Sequence, residues 1–144
     1  MMQAVLLDLS GVLYDGAEVI PGAREAVARL QASGLKVRFV TNTSQKRRTA
    51  LLEHLRGLGF DVGDGALFTA VDAAREWLRE QGLRPYCLVH ENIAAGFEDF
   101  DQRDPDAVLI ADAAEGFTYD RLNRALELCL GGAPLVGVGY NRYY

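Results

Sequence analysis

Short apolar runs alternate along this chain with stretches of helical periodicity, and that alternation restricts the fold more than any other feature. Ala4 to Leu9 reads as a buried strand, and "KVRFVT" (Lys36 to Thr41) reads as a second. Between them Pro21-Gly22 opens a helix with Ala23, Ala26, Val27 and Leu30 on one face, and Gly34 stops it. Ser44 is expected to cap the next helix, whose Leu51, Leu52, Leu55 and Leu58 face inward before Gly57 and Gly59 end it. The stretch "GFDVGDGALF" reads as a turn region, and a helix around Val71, Ala74, Trp77 and Leu78 follows. A second series then begins: "PYCLVH" as a strand, "ENIAAGFEDF" as a short helix or loop, and "DAVLIADA" as a strand. "TYDRLNRALELCLGG" is an amphipathic helix with Leu122, Ala125, Leu126, Cys129 and Leu130 on its apolar face, and "PLVGVG" closes as a strand. Strands separated by helices predict an α/β fold with parallel pairing, divided into residues 1–68 and 69–144.

Composition narrows the function. The chain has 144 residues, enough to bury most of its apolar surface, and 24% charged residues, an ordinary share for a globular protein. Its net charge of -5 repels phosphate backbones, and Lys46-Arg47-Arg48 is its longest basic run, so nucleic-acid binding is not expected. No stretch reaches the roughly 20 apolar residues of a membrane helix. The start, "MMQAVLLDLSG", lacks the basic lead of a secretory signal. Cys87 and Cys129 lie in apolar segments without metal-ligand spacing, which suits a reducing compartment. A soluble cytoplasmic protein is expected.

The chemistry concentrates where the first strand ends, in "VLLDLSGVLYDG". Ligands of open α/β sheets bind beyond the carboxyl ends of strands. Asp8 ends the first predicted strand and Thr41-Asn42 the second, so neighbouring strands would bring a carboxylate, a hydroxyl and an amide to one crevice. A carboxylate there can hold Mg²⁺, a hard cation, and can attack phosphorus. Backbone N–H groups around Leu9 to Gly11, with Thr41 Oγ and the Asn42 N–H, would stabilise charge on the transferring phosphoryl oxygens. Taken alone, Asp-x-x-Gly after a strand is usually a turn or helix cap, and "TNTS" can simply be capping chemistry for the following helix.

Together "LLDLSGVLYDG" and "VRFVTNTSQKRR" resemble the first two motifs of the haloacid dehalogenase superfamily of phosphohydrolases. "DAVLIADAAEGFTYDRLNRALELCLGG" looks like the α/β cap of its subfamily IIA. The resemblance implies a Rossmann-like core carrying both motifs in residues 1–68, and a cap in residues 69–144. It implies an aspartyl-phosphate mechanism with Asp8 as nucleophile and Mg²⁺ ligand. Ser10 would bind the metal through its carbonyl, and Leu9, Ser10, Thr41 and Asn42 would hold the phosphate. Implied substrates are phosphoramidates (phospholysine, phosphohistidine) or inorganic pyrophosphate, presented as a small molecule or as a phosphoprotein side chain. Subfamily resemblance also implies a homodimer through the cap.

The superfamily's usual first motif is Asp-x-Asp-Gly, and here Ser10 stands at the second acid. A serine hydroxyl is a poor general acid near neutral pH, so hard-to-expel alkoxides should suffer most. A phosphoramidate nitrogen carries its own proton, and pyrophosphate departs as a stabilised anion. Ser10 therefore fits the implied substrates, and fits equally a chain of weak activity.

The superfamily pattern continues after the cap with a lysine and a Gly-Asp motif. The chain holds only Lys36 and Lys46 as lysines, and Gly63-Asp64 reads as a turn, so it is expected to be the first half of a family member. Two alternatives accompany the main reading: a general small-molecule phosphatase, or a catalytically incomplete fragment serving as a phosphate-binding regulatory module. Asp15 reads as a solvated loop acid. His54 reads as exposed and His90 as the end of a cap strand, neither with a metal or triad partner. Asp112 ends a cap strand as a turn or helix-approach residue, and Trp77 and Tyr143-Tyr144 read as core or interface.

Overall fold

A computed structural model describes residues 3–139. The aliphatic run at the start forms β1 (Ala4–Asp8), which pairs in parallel with β4 (Lys36–Thr41) so that Asp8 lies opposite Val40. Between these strands come a hairpin, β2 (Tyr14–Asp15) with β3 (Glu18–Val19), and helix α1 (Ala23–Ala32). Helix α2 (Arg48–Gly57) follows β4, and the chain then returns as β5 (Leu67–Thr69), parallel to β4 with Thr41 opposite Thr69. The sheet order is β1-β4-β5.

Strand geometry sends alternate residues to opposite faces. One face of this sheet presents Val37, Phe39 and Leu67, which pack with Ala23 and Val27 of α1 and with Leu51, Leu52 and Leu55 of α2. The other face, carrying Leu6 and Phe68, is open, and Leu6 is 67% exposed. β1 is thus buried on one side only, whereas its aliphatic run reads as a strand covered on both.

The chain forms two compact units: the first holds the chain up to Thr41 and Arg48–Thr69, the second Asn42–Arg47 and the chain from Ala70 onward. In the second, α3 (Ala70–Glu80) leads to β6 (Pro85–Leu88), then α4 (Glu91–Ala94), β7 (Ala107–Ile110), α5 (Tyr119–Leu130) and β8 (Leu135–Gly137). The strands form a parallel sheet in the order β6-β7-β8. Ala107 and Leu109 of β7 pack with Ala74 and Leu78 of α3 and Ile93 of α4, while Val108 turns to Ala125 of α5. Helices therefore cover both faces, the arrangement parallel sheets require. Asp99, after α4, is bound by both Arg75 and Arg79 of α3, whose guanidinium groups sit over Phe97 (5.8 Å) and Phe100 (5.4 Å). No helix among the described residues is long and apolar enough to cross a membrane.

Several local expectations are corrected. Residues 67–69 form a strand that begins within the supposed turn region, because β4 offers them a ladder at Phe39, Val40 and Thr41. Helix α5 buries Ala125, with Leu128 and Cys129 beside it, but leaves Leu122, Leu126 and Leu130 exposed at 43%, 55% and 80%. Its apolar residues form two stripes, and only one meets the sheet. Ser44 does not cap α2, which starts at Arg48; its hydroxyl accepts the Asp112 N–H at 3.4 Å instead. Tyr143-Tyr144 lies outside the described residues.

Candidate active site

Asp8 is the last residue of β1, and its side chain is solvent-accessible. Beyond it the chain winds into a tight turn around one acceptor. The Leu9 carbonyl takes the N–H groups of Val12 (3.2 Å), Leu13 (2.8 Å) and Tyr14 (3.4 Å). Gly11 closes the turn by donating to the Tyr14 carbonyl at 2.8 Å, with φ at +76°, a conformation that a side chain disfavours. Leu9 and Leu13 are buried in the core of the first unit and pin the turn from below. The Leu9 N–H donates to Asp8 Oδ1 at 2.8 Å, which fixes the carboxylate orientation and leaves Oδ2 outside that bond.

Three amides were expected to face a phosphate. Those of Leu9 and Gly11 are engaged inside the turn, which leaves the Ser10 N–H as the free donor of the three. The turn likewise leaves the Ser10 carbonyl unused. Thr41 ends β4 one position past the partner of Asp8, and it is buried beside its register partner Thr69. The strand-end placement of Asp8 and Thr41 thus comes from one parallel pair. Asn42 follows directly in the chain and is exposed.

A divalent cation fits the donor set in kind. The Asp8 carboxylate and the Ser10 carbonyl are hard oxygens at an exposed turn, and Mg²⁺ commonly takes one or two carboxylates and keeps water for the rest. No group of three or more His, Cys, Asp or Glu side chains that could hold a metal occurs among the described residues.

One neighbour of this turn escapes sequence reasoning. The Tyr14 ring stands edge-on to His54 of α2, centroids 4.9 Å apart. Burial, and secondarily the negative charge of Asp8, raises the Tyr14 phenol above its ordinary pKa, so it stays a neutral group. His54 is half-buried rather than exposed, and its Nε2 is buried without a hydrogen-bond partner. Only the spacing of Tyr14 and His54 across two elements creates this contact, and no local pattern announces it.

The remaining candidates lie elsewhere. Asp15 pairs in register with Glu18 in the hairpin and is exposed. Lys36 and Lys46 are exposed. Asp64 opens a short 3-10 turn and meets Arg56 at 2.6 Å. His90 caps α4, its Nδ1 accepting the Asn92 N–H at 3.1 Å. Asp112 accepts the Ala114 N–H at 2.9 Å and the Gln45 side-chain amide. Asn92 completes that join, donating to the Gln45 carbonyl at 3.2 Å while its own carbonyl accepts from Arg47. The segment after Thr41 is thereby fastened to the loops that follow β6 and β7.

Comparison with known proteins decides the family. Residues 5–103 match the haloacid dehalogenase-like hydrolase family. The chain belongs to it. It is 47% identical over 149 aligned positions to the phospholysine phosphohistidine inorganic pyrophosphate phosphatase of Rattus norvegicus, covering 99% of this chain and 55% of that protein. The chain spans about half the length of the curated relatives it matches. Among solved structures, the 4-nitrophenylphosphatase of Thermotoga maritima superposes with a TM-score of 0.85 at 26% identity, covering 97% of this chain and 56% of that one. The glycerol phosphate phosphatase of Mycobacterium tuberculosis, solved with magnesium, shares the fold at a TM-score of 0.77 and 23% identity over 94% of this chain and 44% of that one.

Proposed function

We propose that this haloacid dehalogenase-like protein is a Mg²⁺-dependent phosphohydrolase working through an aspartyl phosphate on Asp8. The observation that carries the reading is the turn after β1, which holds the Asp8 carboxylate by one oxygen and leaves the other outside its hydrogen bonds. Asp8 Oδ2 attacks phosphorus, the bond to the leaving group breaks, and water then hydrolyses the acyl phosphate to return the carboxylate and inorganic phosphate. The Asp8 carboxylate and the Ser10 carbonyl would hold Mg²⁺, which would supply neutralisation of phosphoryl charge. The Ser10 N–H and the Thr41-Asn42 pair hold the phosphoryl oxygens. The second compact unit is the cap of this reading.

The substrates are phosphoramidates or pyrophosphate. Ser10 supplies no general acid, so the favoured bonds are those that break without one. A phosphoramidate nitrogen leaves as an amine after taking a proton from solvent, and pyrophosphate leaves as phosphate. The name of the rat relative supports this substrate class. A second reading, a phosphate-binding module without turnover, is favoured by the exposure of both lysines.

The test is Asp8→Asn, assayed with imidodiphosphate and pyrophosphate at saturating Mg²⁺. Turnover should vanish while the circular dichroism spectrum and unfolding midpoint hold, because a neutral amide neither attacks phosphorus nor binds Mg²⁺ well. Retained turnover in a sequence-verified preparation refutes Asp8 as nucleophile. Phosphate binding with no turnover by the unaltered protein selects the second reading.

A further inference from the structure

The second unit contains a cavity that the hydrolase reading does not use. It measures about 520 Å³, within the usual range for small-molecule sites, and lies past the carboxyl ends of β6 and β7. Val89, His90 and Glu91 line one wall, and Glu115, Gly116 and Arg121 line the other. Ligands of open parallel sheets settle in this place.

Three features mark a site rather than a gap. The first is the Arg121 guanidinium, fixed by donation from Nη1 to the Gly116 carbonyl (3.1 Å) and from Nη2 to the Cys87 carbonyl (2.9 Å). It is half-buried, yet no carboxylate pairs with it among the described residues. Burial without a counter-ion is costly unless something supplies one. The second is Gly116, where a Cβ would stand 2.7 Å from Arg121 Nη1, so a glycine makes room for the guanidinium against the backbone. The third is Ala114, the one described non-glycine residue with positive φ (+46°), held there by Asp112 Oδ1. Strain of this kind persists where the surroundings enforce it, and it clusters at ligand sites.

The charges define the ligand. His90 Nδ1 accepts a backbone N–H, so its proton sits on Nε2 and makes that atom a donor. Arg121 and His90 are half-buried cation and donor, whereas Glu91 and Glu115 are exposed acids of the same cavity. A dianion such as phosphate would meet two carboxylates. A molecule with a carboxylate for Arg121 and an ammonium for the acids satisfies all four. We propose that this cavity binds a small zwitterion of the α-amino-acid class, with its carboxylate on Arg121 and His90 and its ammonium toward Glu91 and Glu115.

The proposal is independent of Asp8 chemistry and is tested by amide chemical shifts of the ¹⁵N-labelled chain. Probes are L-alanine, L-lysine, propionate, ethylamine and inorganic phosphate. The two amino acids should give saturable shifts confined to residues 89–94 and 113–121, at least about tenfold tighter than propionate or ethylamine. Arg121→Gln should abolish the shifts. Because Arg121 also ties two carbonyls, Glu91→Gln/Glu115→Gln at exposed positions serves as the second variant and should reduce amino-acid affinity by at least about tenfold while leaving propionate affinity unchanged or improved. The proposal is overturned if neither amino acid saturates these shifts, if propionate or phosphate binds as tightly as alanine, or if the double glutamine variant binds alanine unchanged.

Discussion

Gly11 and Gly59 share a backbone conformation and differ in surroundings, which makes them a controlled pair. Gly11 has φ +76° and an added Cβ would meet nothing within 4 Å. Gly11→Ala therefore pays only the left-handed conformation, about 1–2 kcal/mol, less about 0.4–1 kcal/mol from the stiffer unfolded chain. The expected net loss is about 1 kcal/mol. Gly59 has φ +84°, but its Cβ would stand 3.1 Å from Arg24 Nε, the atom that donates to the Leu58 carbonyl at 2.6 Å. Gly59→Ala carries the same conformational cost and also displaces that hydrogen bond, adding about 1 kcal/mol. Urea unfolding with unchanged m-values gives both numbers. In an Arg24→Ala background the Gly59→Ala penalty should shrink toward the Gly11→Ala value, since the three atoms nearest the added Cβ all belong to the Arg24 side chain. A Gly11→Ala loss above about 3 kcal/mol, or a Gly59→Ala penalty indifferent to Arg24, refutes the reasoning.

Phe39 is fully buried between β4 and both helices of the first unit, and Phe39→Ala should cost about 3–5 kcal/mol, read from the urea midpoint. Cys87 is pushed up to about 12 by burial, from an ordinary 9.0, with the Arg121 charge opposing. A raised thiol pKa contributes stability that is full below pH 9 and drains away as pH climbs toward about 12, so Cys87→Ala should flatten the alkaline fall of the unfolding midpoint over that window. Ser10→Asp should flatten the dependence of rate on leaving-group basicity across aryl phosphates, by a factor on the order of 10² to 10⁴ for the most basic phenols. A matched rate series at saturating Mg²⁺ measures it, and an unchanged slope means the serine does not set substrate choice.

What the sequence made legible follows the range of the interactions involved. The strand Lys36 to Thr41 is observed with the limits its pattern predicts, and β1 ends one residue earlier than expected, at Asp8. Both carry their signal within themselves, as aliphatic runs closed by polar residues. β5 carries none: three residues, Leu67–Thr69, become a strand because β4 stands beside them. Helix α5 shows the same limit differently, since its sequence displays apolar positions without saying which stripe meets a sheet. At the candidate site, the strand-end positions of Asp8 and Thr41 were readable from the motifs. The commitment of the Leu9 and Gly11 amides to the turn was not, nor was the Tyr14–His54 contact, because each depends on how the backbone folds back.

The short segment Asn42–Arg47 has a consequence for anyone recombining this protein. It belongs to the second unit, although it is flanked by β4 and α2 of the first. The covalent chain therefore passes between units at Thr41, at Arg47 and at Thr69, not once. A cut after Thr69 would take the second unit away without Ser44, which accepts the Asp112 N–H, and without Gln45, which meets the Asp112 carboxylate and the Asn92 side-chain amide. Grafting a relative's second unit onto this first unit by a single crossover would join a foreign partner to the native segment. Chimeras should thus keep their fold only when residues 42–47 travel with the sequence from Ala70 onward, which makes the unit of exchange discontinuous in the gene.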